Sequence, residues 1–426
     1  MINTTGNFEA RLGHKTHPGF LSQDERVAGM PSGRNPFATD AELPENSPLF
    51  FGRTQVLYEI LSTLRHPDNP RCVSLLGERR IGKSSLLNQV FAALGQEERL
   101  LAVRGTTQDW SQVTPARFFL DLRQAIREAV EEEGSEQDAD AAESQVVYQS
   151  LDGSGAVDPA VDYAEFLAFL QRRVGRRYRL VLILDGFETL VGNAAFDTEF
   201  FTKLRELASS RDFRIGFLVA SRAPLSRLRN HHESLNASSF WDLFGFAHVL
   251  GPLQPEEALA AMQAPWARTL DGAVLPPEVI EEIEKQAGHH PGLFRMVLAD
   301  RWEAHKSGRG PDTGGMEQEL TGYFRAIWED RAQEEKELLV RILAEKPIGQ
   351  HMLLRDLRSR GLIVRKDDKD RLFTALFEAF VRELLPEDPA LSQILAEKTE
   401  KEKDGGDAPP RKKKLLDFLF RRGGKR

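Results

Sequence analysis

Residues 77–85 read Gly-Glu-Arg-Arg-Ile-Gly-Lys-Ser-Ser, two glycines five positions apart followed by a lysine and two hydroxyls. This is the phosphate-binding pattern G-x-x-x-x-G-K-[ST]. An apolar run, Cys72–Leu76, precedes it and a helical run, Ser85–Phe91, follows, which is the strand–loop–helix setting the motif requires. Gly77 and Gly82 let successive backbone amides turn toward one anion, at a helix N-terminus that already carries partial positive charge. Lys83 then reaches the β- and γ-phosphates, Ser84 offers a hydroxyl to Mg²⁺, and Ser85 completes the cradle. The chemistry implied is the grip on a nucleoside triphosphate.

A second run completes the metal side. Residues 179–184 are Arg-Leu-Val-Leu-Ile-Leu and end at Asp185, an acid at the C-terminal end of a buried strand, where open α/β sheets bind ligands. Asp185 is expected to accept hydrogen bonds from Mg²⁺-bound water and so complete a metal site with Ser84. Hydrolysis wants another carboxylate to orient or deprotonate water. Position 186 is Gly, which leaves Glu188 as the near candidate, either that base or a solvated acid at a helix start. Arg222 follows the apolar run 214–220 and could sense the γ-phosphate through a bidentate guanidinium, or simply begin a surface helix.

Strand candidates at 71–76, 99–104, 179–184, 214–220 and 246–250 alternate with helical stretches at 82–95, 113–130, 161–176 and 194–210. That alternation predicts an α/β fold, a P-loop NTPase domain over 48–252 built on a parallel sheet covered on both faces. Residues 1–47 are polar and Pro/Gly-punctuated and read as a flexible arm. Between Arg127 and Arg172 there is no Lys or Arg while acids accumulate, so about 131–160 reads as a solvated acidic insertion. After Pro252 the chain turns helical, a lid over 253–329. Two helices and a β-hairpin pattern over 330–385 match the layout of a winged helix. Residues 386–426 form a charged linker and a basic tail.

With 426 residues, 41% apolar and 29% charged, the chain has the composition of a soluble protein with room for two or three domains. No apolar run approaches the ~18 residues of a membrane span, the N-terminus lacks a signal-peptide layout, and Cys72 is the only cysteine, so a cytoplasmic location is expected. The net charge of −8 conceals a tail, 411–426, with eight Lys or Arg against one Asp. The remaining body is acidic and poorly suited to general nucleic-acid binding. Leu415, Leu416, Phe418, Leu419 and Phe420 between those bases could lie on an anionic membrane, dock on an acidic protein partner, or fold back on this chain.

In order, Phe50-Phe51-Gly52-Arg53, the loop 77–85, Asp185-Gly186-Phe187-Glu188, Ser221-Arg222, Ala287-Gly288-His289-His290-Pro291 and the terminal helix–hairpin pattern resemble the STAND-class signalling NTPases and their AAA+-like archaeal-type relatives. The resemblance covers about residues 48–385. It implies that Gly52 and Arg53 lie over the adenine and ribose, that Pro291 closes the base pocket, and that Arg222 is a sensor. It also implies a switch held closed by ADP and opened by ATP, with slow hydrolysis and with protein partners or self-association downstream. His290 or Pro291 from the lid, with Lys83 on the phosphates, would give the ligand its contact with two domains. Two departures stand out: Gly186 replaces a commonly acidic residue, and Gly-His-His-Pro replaces the commoner Gly-x-Pro. The replication-initiator branch of AAA+ supplies an alternative, a DNA-binding ATPase using Arg355, Arg358, Arg360, Arg365, Lys366, Lys369 and Arg371. Asp356, Asp367, Asp368 and Asp370 interleave with these and bring that patch close to neutral. A non-hydrolysing nucleotide-binding scaffold is the third possibility.

Overall fold

Runs of apolar residues as long as Leu180–Leu184 or Ile215–Ala220 cannot sit half-exposed; they need a sheet covered on both sides. A computed structural model describes residues 3–13, 23–38, 41–105, 110–131, 159–210, 212–230, 236–310, 313–349 and 351–396, and it places these runs in such a sheet. The acidic stretch 132–158 and the tail 397–426 lie outside the described residues.

The strands are β1 (Asn3–Thr5), β2 (Phe8–Leu12), β3 (Val73–Gly77), β4 (Leu100–Gly105), β5 (Arg179–Leu184), β6 (Ile215–Ser221) and β7 (His248–Leu250), with spatial order β1-β2-β4-β5-β6-β3-β7. From β4 to β7 all pairings are parallel; Leu76 faces Ser221 and Leu184 faces Val219. The strand carrying the phosphate loop therefore lies between β6 and β7. The strand ends at Gly77, Asp185 and Ser221 all open on one edge of the sheet, as bound ligands require.

Side chains alternate between the two faces. Leu180, Leu182, Ile215, Phe217 and Val219 pack with an aromatic cluster on helices 115–131 and 198–209, where the Phe118 and Phe200 rings meet edge-on at 5.1 Å. Val181, Ile183, Leu218 and Ala220 pack on the other face with helices 54–64 and 83–94. All five strands expected from the sequence are present.

The expectation of an unstructured arm over 1–47 is corrected in two places. β1 and β2 form a hairpin that adds antiparallel to β4, with Phe8 and Ala10 fully buried. Asp121 locks the turn by accepting from the Asn7 backbone and side-chain amides. Further on, residues 35–38 contact the helical half of the molecule and residues 41–47 the phosphate-loop helix. Asn35 donates to Ala299 O at 3.0 Å and Phe37 enters the helical core, while Leu43 donates to Ser85 Oγ and accepts from Asn88 Nδ2.

Helices 255–269, 277–287, 291–307 and 313–329 follow the sheet, then helices 333–343 and 351–359, a hairpin β8 (Ile363–Lys366) and β9 (Lys369–Leu372), and helix 375–384. The boundary drawn at 329/330 cuts one continuous apolar core, because Phe324 contacts Phe373, Phe377 and Phe380 across it. The expected linker begins late: helix 389–396 packs back on helix 333–343 and buries Leu391.

Truncating Phe8 to Ala should cost about 3–5 kcal/mol of unfolding free energy, as for other buried aromatics. A urea midpoint unmoved by this change would mean that the hairpin lies outside the cooperative unit.

Candidate functional site

Strand β3 ends at Gly77, a position where nothing larger fits. A Cβ there would stand 2.9 Å from both Ile81 Cγ2 and Leu250 O. The loop turns through Arg80 (φ +51°) and Gly82 (φ +102°), and a Cβ on Gly82 would meet only open space. Gly82 is also the N-cap of helix 83–94 and has no side chain with which to satisfy the first-turn amides. Those donors, at the positive end of the helix, suit an anion. Lys83 Nζ donates to Gly77 O and Glu78 O, each at 3.0 Å. Burial pushes its ammonium below the usual lysine range, against the pull of Asp185 and Glu188. Ser85 turns its hydroxyl away, to the Leu43 amide.

Two cavities adjoin this loop and share Arg80, Lys83 and Ser84 in their walls. One, of about 570 Å³, has Phe50, Phe51, Arg53, Leu253, Pro291 and Phe294 among its lining. The other, of about 620 Å³, is polar, with Arg79, Lys83, Ser84, Asp185, Glu188 and Arg222. The first thus joins aromatic and aliphatic side chains to the phosphate loop, and the second joins that loop to Asp185, Glu188 and Arg222. Ser84 Oγ donates directly to Asp185 Oδ2, which puts the two expected metal-side oxygens side by side. Among the described residues no group of three or more His, Cys, Asp or Glu could hold a metal. An Mg²⁺ at this pair would therefore draw most of its ligands from phosphate and water, as Mg²⁺ commonly does.

Gly186 has φ +62° and donates its amide to Asp185 Oδ1 at 2.8 Å. This left-handed turn suits glycine, which adopts it without steric cost. The next acid, Glu188, sits in the first turn of helix 187–192 and faces the polar cavity. It is held by Arg222, whose Nε donates to Glu188 Oε1 at 2.5 Å. Arg222 thus stands beside Glu188 at the end of β6.

Arg53 lines the first of these cavities. Its guanidinium donates to Gly251 O at 2.6 Å and to Pro252 O and Ile81 O at 3.3 Å each. Burial lowers its pKa to about 10, so it stays charged at neutral pH. Gly52 lies outside the lining; a Cβ there would run into the Glu257 carboxylate. Pro291 lines the cavity as the first residue of helix 291–307.

His290 has a different role from contacting a ligand. It is buried, outside both linings, and caps helix 291–307 through Nδ1, while Nε2 lies 2.7 Å from Tyr323 Oη. Tyr323 donates in turn to Arg79 O at 2.6 Å. The consistent tautomer carries its proton on Nε2. Burial, with Arg53 nearby, lowers the His290 pKa to about 3 and keeps the ring neutral.

Sequence reasoning missed a buried ion cluster behind the phosphate loop. Glu78, inside the phosphate loop, is buried and accepts two parallel bonds from Arg331, at 2.9 and 2.7 Å. Arg360 adds a further bond to the same carboxylate, from Nε at 2.8 Å, and another to Glu335 at 2.7 Å. Burial opposes the charge on Glu335, yet Arg331 and Arg360 hold it below the usual carboxylate range. Arg360 is therefore a core residue and is removed from any DNA-facing set. An acid at a variable position of a phosphate loop was the available signal, since it demands a cation from elsewhere.

The family described as Novel STAND NTPase 1 matches residues 40–385, and the chain belongs to that family. It is a P-loop NTPase. Among solved structures, the Walker-type ATPase PABY2304 of Pyrococcus abyssi is similar in fold, with 14% identity, a TM-score of 0.53, and coverage of 81% of this chain and 99% of that one. The ORC2 protein of Aeropyrum pernix, in ADPNP–ADP complexes, has 17% identity and a TM-score of 0.45, covering 87% of this chain and 100% of that one. The ORC1 protein of the same organism, in complex with DNA, has 13% identity and a TM-score of 0.43, covering 84% of this chain and 97% of that one. None of the curated proteins matches the sequence.

Glu78→Gln should cost about 3–5 kcal/mol in chemical unfolding, because it strips the charge that answers two buried guanidinia. His290 supplies a pH signature. Its folded pKa of about 3 lies below the unfolded value near 6.5, so the unfolded chain binds more protons between those limits and stability falls as pH drops through them. From pH 6.5 to pH 4 that loss is about 3 kcal/mol. His290→Gln should flatten this part of the stability–pH curve; an unaltered slope would place the acid sensitivity elsewhere.

Proposed function

We propose that this STAND NTPase is an Mg²⁺·ATP-dependent switch that hydrolyses slowly and signals through the disposition of its helical half. The observation that carries this reading is that the helical half touches the phosphate loop through buried polar contacts, Tyr323 on Arg79 O and Arg331 with Arg360 on Glu78. A ligand in the two cavities would meet both halves at once. It would then favour whichever arrangement presents both surfaces, by its differential affinity. A hundredfold preference moves that equilibrium by about 2.7 kcal/mol.

Lys83 and the uncapped amides of residues 83–85 would hold the phosphates, and Ser84 with Asp185 the metal. Bound Mg²⁺ would supply charge neutralisation on the phosphate oxygens. Glu188 is the candidate to orient and deprotonate water, and Arg222 the candidate sensor. Because Arg222 already engages Glu188, the acid must exchange partners before it can take a proton, which supports slow turnover. The preference for ATP over GTP rests on family resemblance.

The replication-initiator alternative has less support. Arg358 is paired bidentately with Asp370, Arg360 is buried on Glu78, and Lys369 and Arg371 both approach Glu345. Few cations of the helix–hairpin module remain for phosphate backbones. The winged-helix reading of 330–385 is kept here as an intramolecular packing module. Protein partners or self-association fit a switch of this kind. Membrane or protein contact through 411–426 concerns residues outside the described set. Among the described residues no helix is long and apolar enough to cross a membrane.

Lys83→Ala should abolish nucleotide binding in calorimetry; unchanged affinity would contradict the assignment. Glu188→Gln should retain ATP while turnover falls about 100-fold, within the range for loss of a general base. Parent-like hydrolysis would remove Glu188 from that role. Chromatography of nucleotide released from the denatured, freshly purified protein should yield ADP if the switch rests closed.

A further inference from the structure

Asp330 follows directly on helix 313–329, outside both cavities and against two cations of the polar one. Its Oδ2 accepts from Arg79 Nε at 2.8 Å and from Arg222 Nη1 at 2.9 Å. Both donors line the polar cavity beside Lys83 and Ser84. One anionic oxygen receiving two guanidinium donors has the charge and acceptor geometry of a terminal phosphate oxygen. The next residue is Arg331, which clamps Glu78 of the phosphate loop. Two consecutive residues therefore engage both the sensor side and the loop side of the site.

We propose that Asp330 is an intramolecular stand-in for the terminal phosphate of a nucleoside triphosphate, positioning Arg79 and Arg222 and thereby setting the discrimination between tri- and diphosphate. This rests on the nucleotide-switch reading and deepens it. With a diphosphate, Asp330 keeps both guanidinia and the helical half stays seated. A third phosphoryl group competes for the same two donors and repels the Asp330 carboxylate. Displacing Asp330 pulls on Arg331, and so on the buried bond to Glu78. Glu188 shares Arg222 with Asp330, so the same exchange frees the candidate base.

The test compares Mg²⁺·ATP and Mg²⁺·ADP binding to the full chain by calorimetry. Asp330→Asn keeps the shape and removes the charge, and it should raise the ATP-to-ADP affinity ratio about tenfold, equal to ~1.4 kcal/mol. A merely structural loosening would shift both nucleotides alike and leave the ratio fixed. In an Arg222→Ala background the effect of Asp330→Asn on the ratio should shrink to less than about twofold. Should the Asn variant fail to fold, Asp330→Ser is read in the same way. Wild-type binding with an unchanged ratio in the variant overturns this assignment alone, as does a ratio change that persists undiminished without Arg222. A wild-type chain that binds neither nucleotide overturns the switch reading and this assignment with it.

Discussion

A carboxylate buried inside a phosphate-binding loop is an awkward object. Glu78 sits where the loop exists to attract negative charge, with almost no access to water. An isolated ion there would carry a large desolvation penalty. It is tolerable because Arg331 and Arg360 reach it from more than 250 residues away. The loop is therefore complete only when the C-terminal helices are seated on it. Ion pairs of this kind contribute little net stability against apolar replacements and cost much when broken on one side. What such pairs do here is tie the C-terminal helices to the loop in one arrangement.

The close approach of the halves has its own backbone requirements. Gly251 and Gly361 stand where the sheet hands over to the helices, and a Cβ on Gly361 would fall 2.1 Å from Pro252 Cδ. Gly361 also has φ +80°. These positions bring the chain beside Arg360 close enough to β7 for its guanidinium to reach the phosphate loop. Arg53 braces the same corner by capping the carbonyls of Gly251 and Pro252. One corner thus joins the sheet, the loop and the helical half.

Much of this was legible in the amino-acid order. Buried parallel strands are continuous apolar runs, so β3 to β7 announced themselves, and the phosphate loop is a local pattern whose chemistry follows from its spacing. The β1–β2 hairpin was missed although Phe8, Ala10 and Leu12 alternate with Glu9 and Arg11, because a five-residue alternation in a polar segment is a weak signal. The contact of residues 41–47 with the phosphate-loop helix was missed because its anchors are the polar side chains of Asn88 and Gln89, buried on a helix that otherwise reads as apolar. Glu78, Asp330 and Arg331 were out of reach, since nothing local couples positions so distant in the chain. Of the two lid residues offered for the ligand contact, His290 or Pro291, Pro291 lines a cavity and His290 lies behind it. A histidine before a helix-starting proline also reads as a cap, and here the cap is what it does.

The chain between Phe37 and Leu43 limits how far the halves could part. Phe37 is embedded among the helices, and Leu43 is bonded to the phosphate-loop helix. Five residues, six Cα–Cα steps, separate these anchors, a contour length of about 20 Å at full stretch. While both ends hold, the molecule is leashed: separation of these two anchors stops near that length. A wider gape would have to unseat Phe37 first.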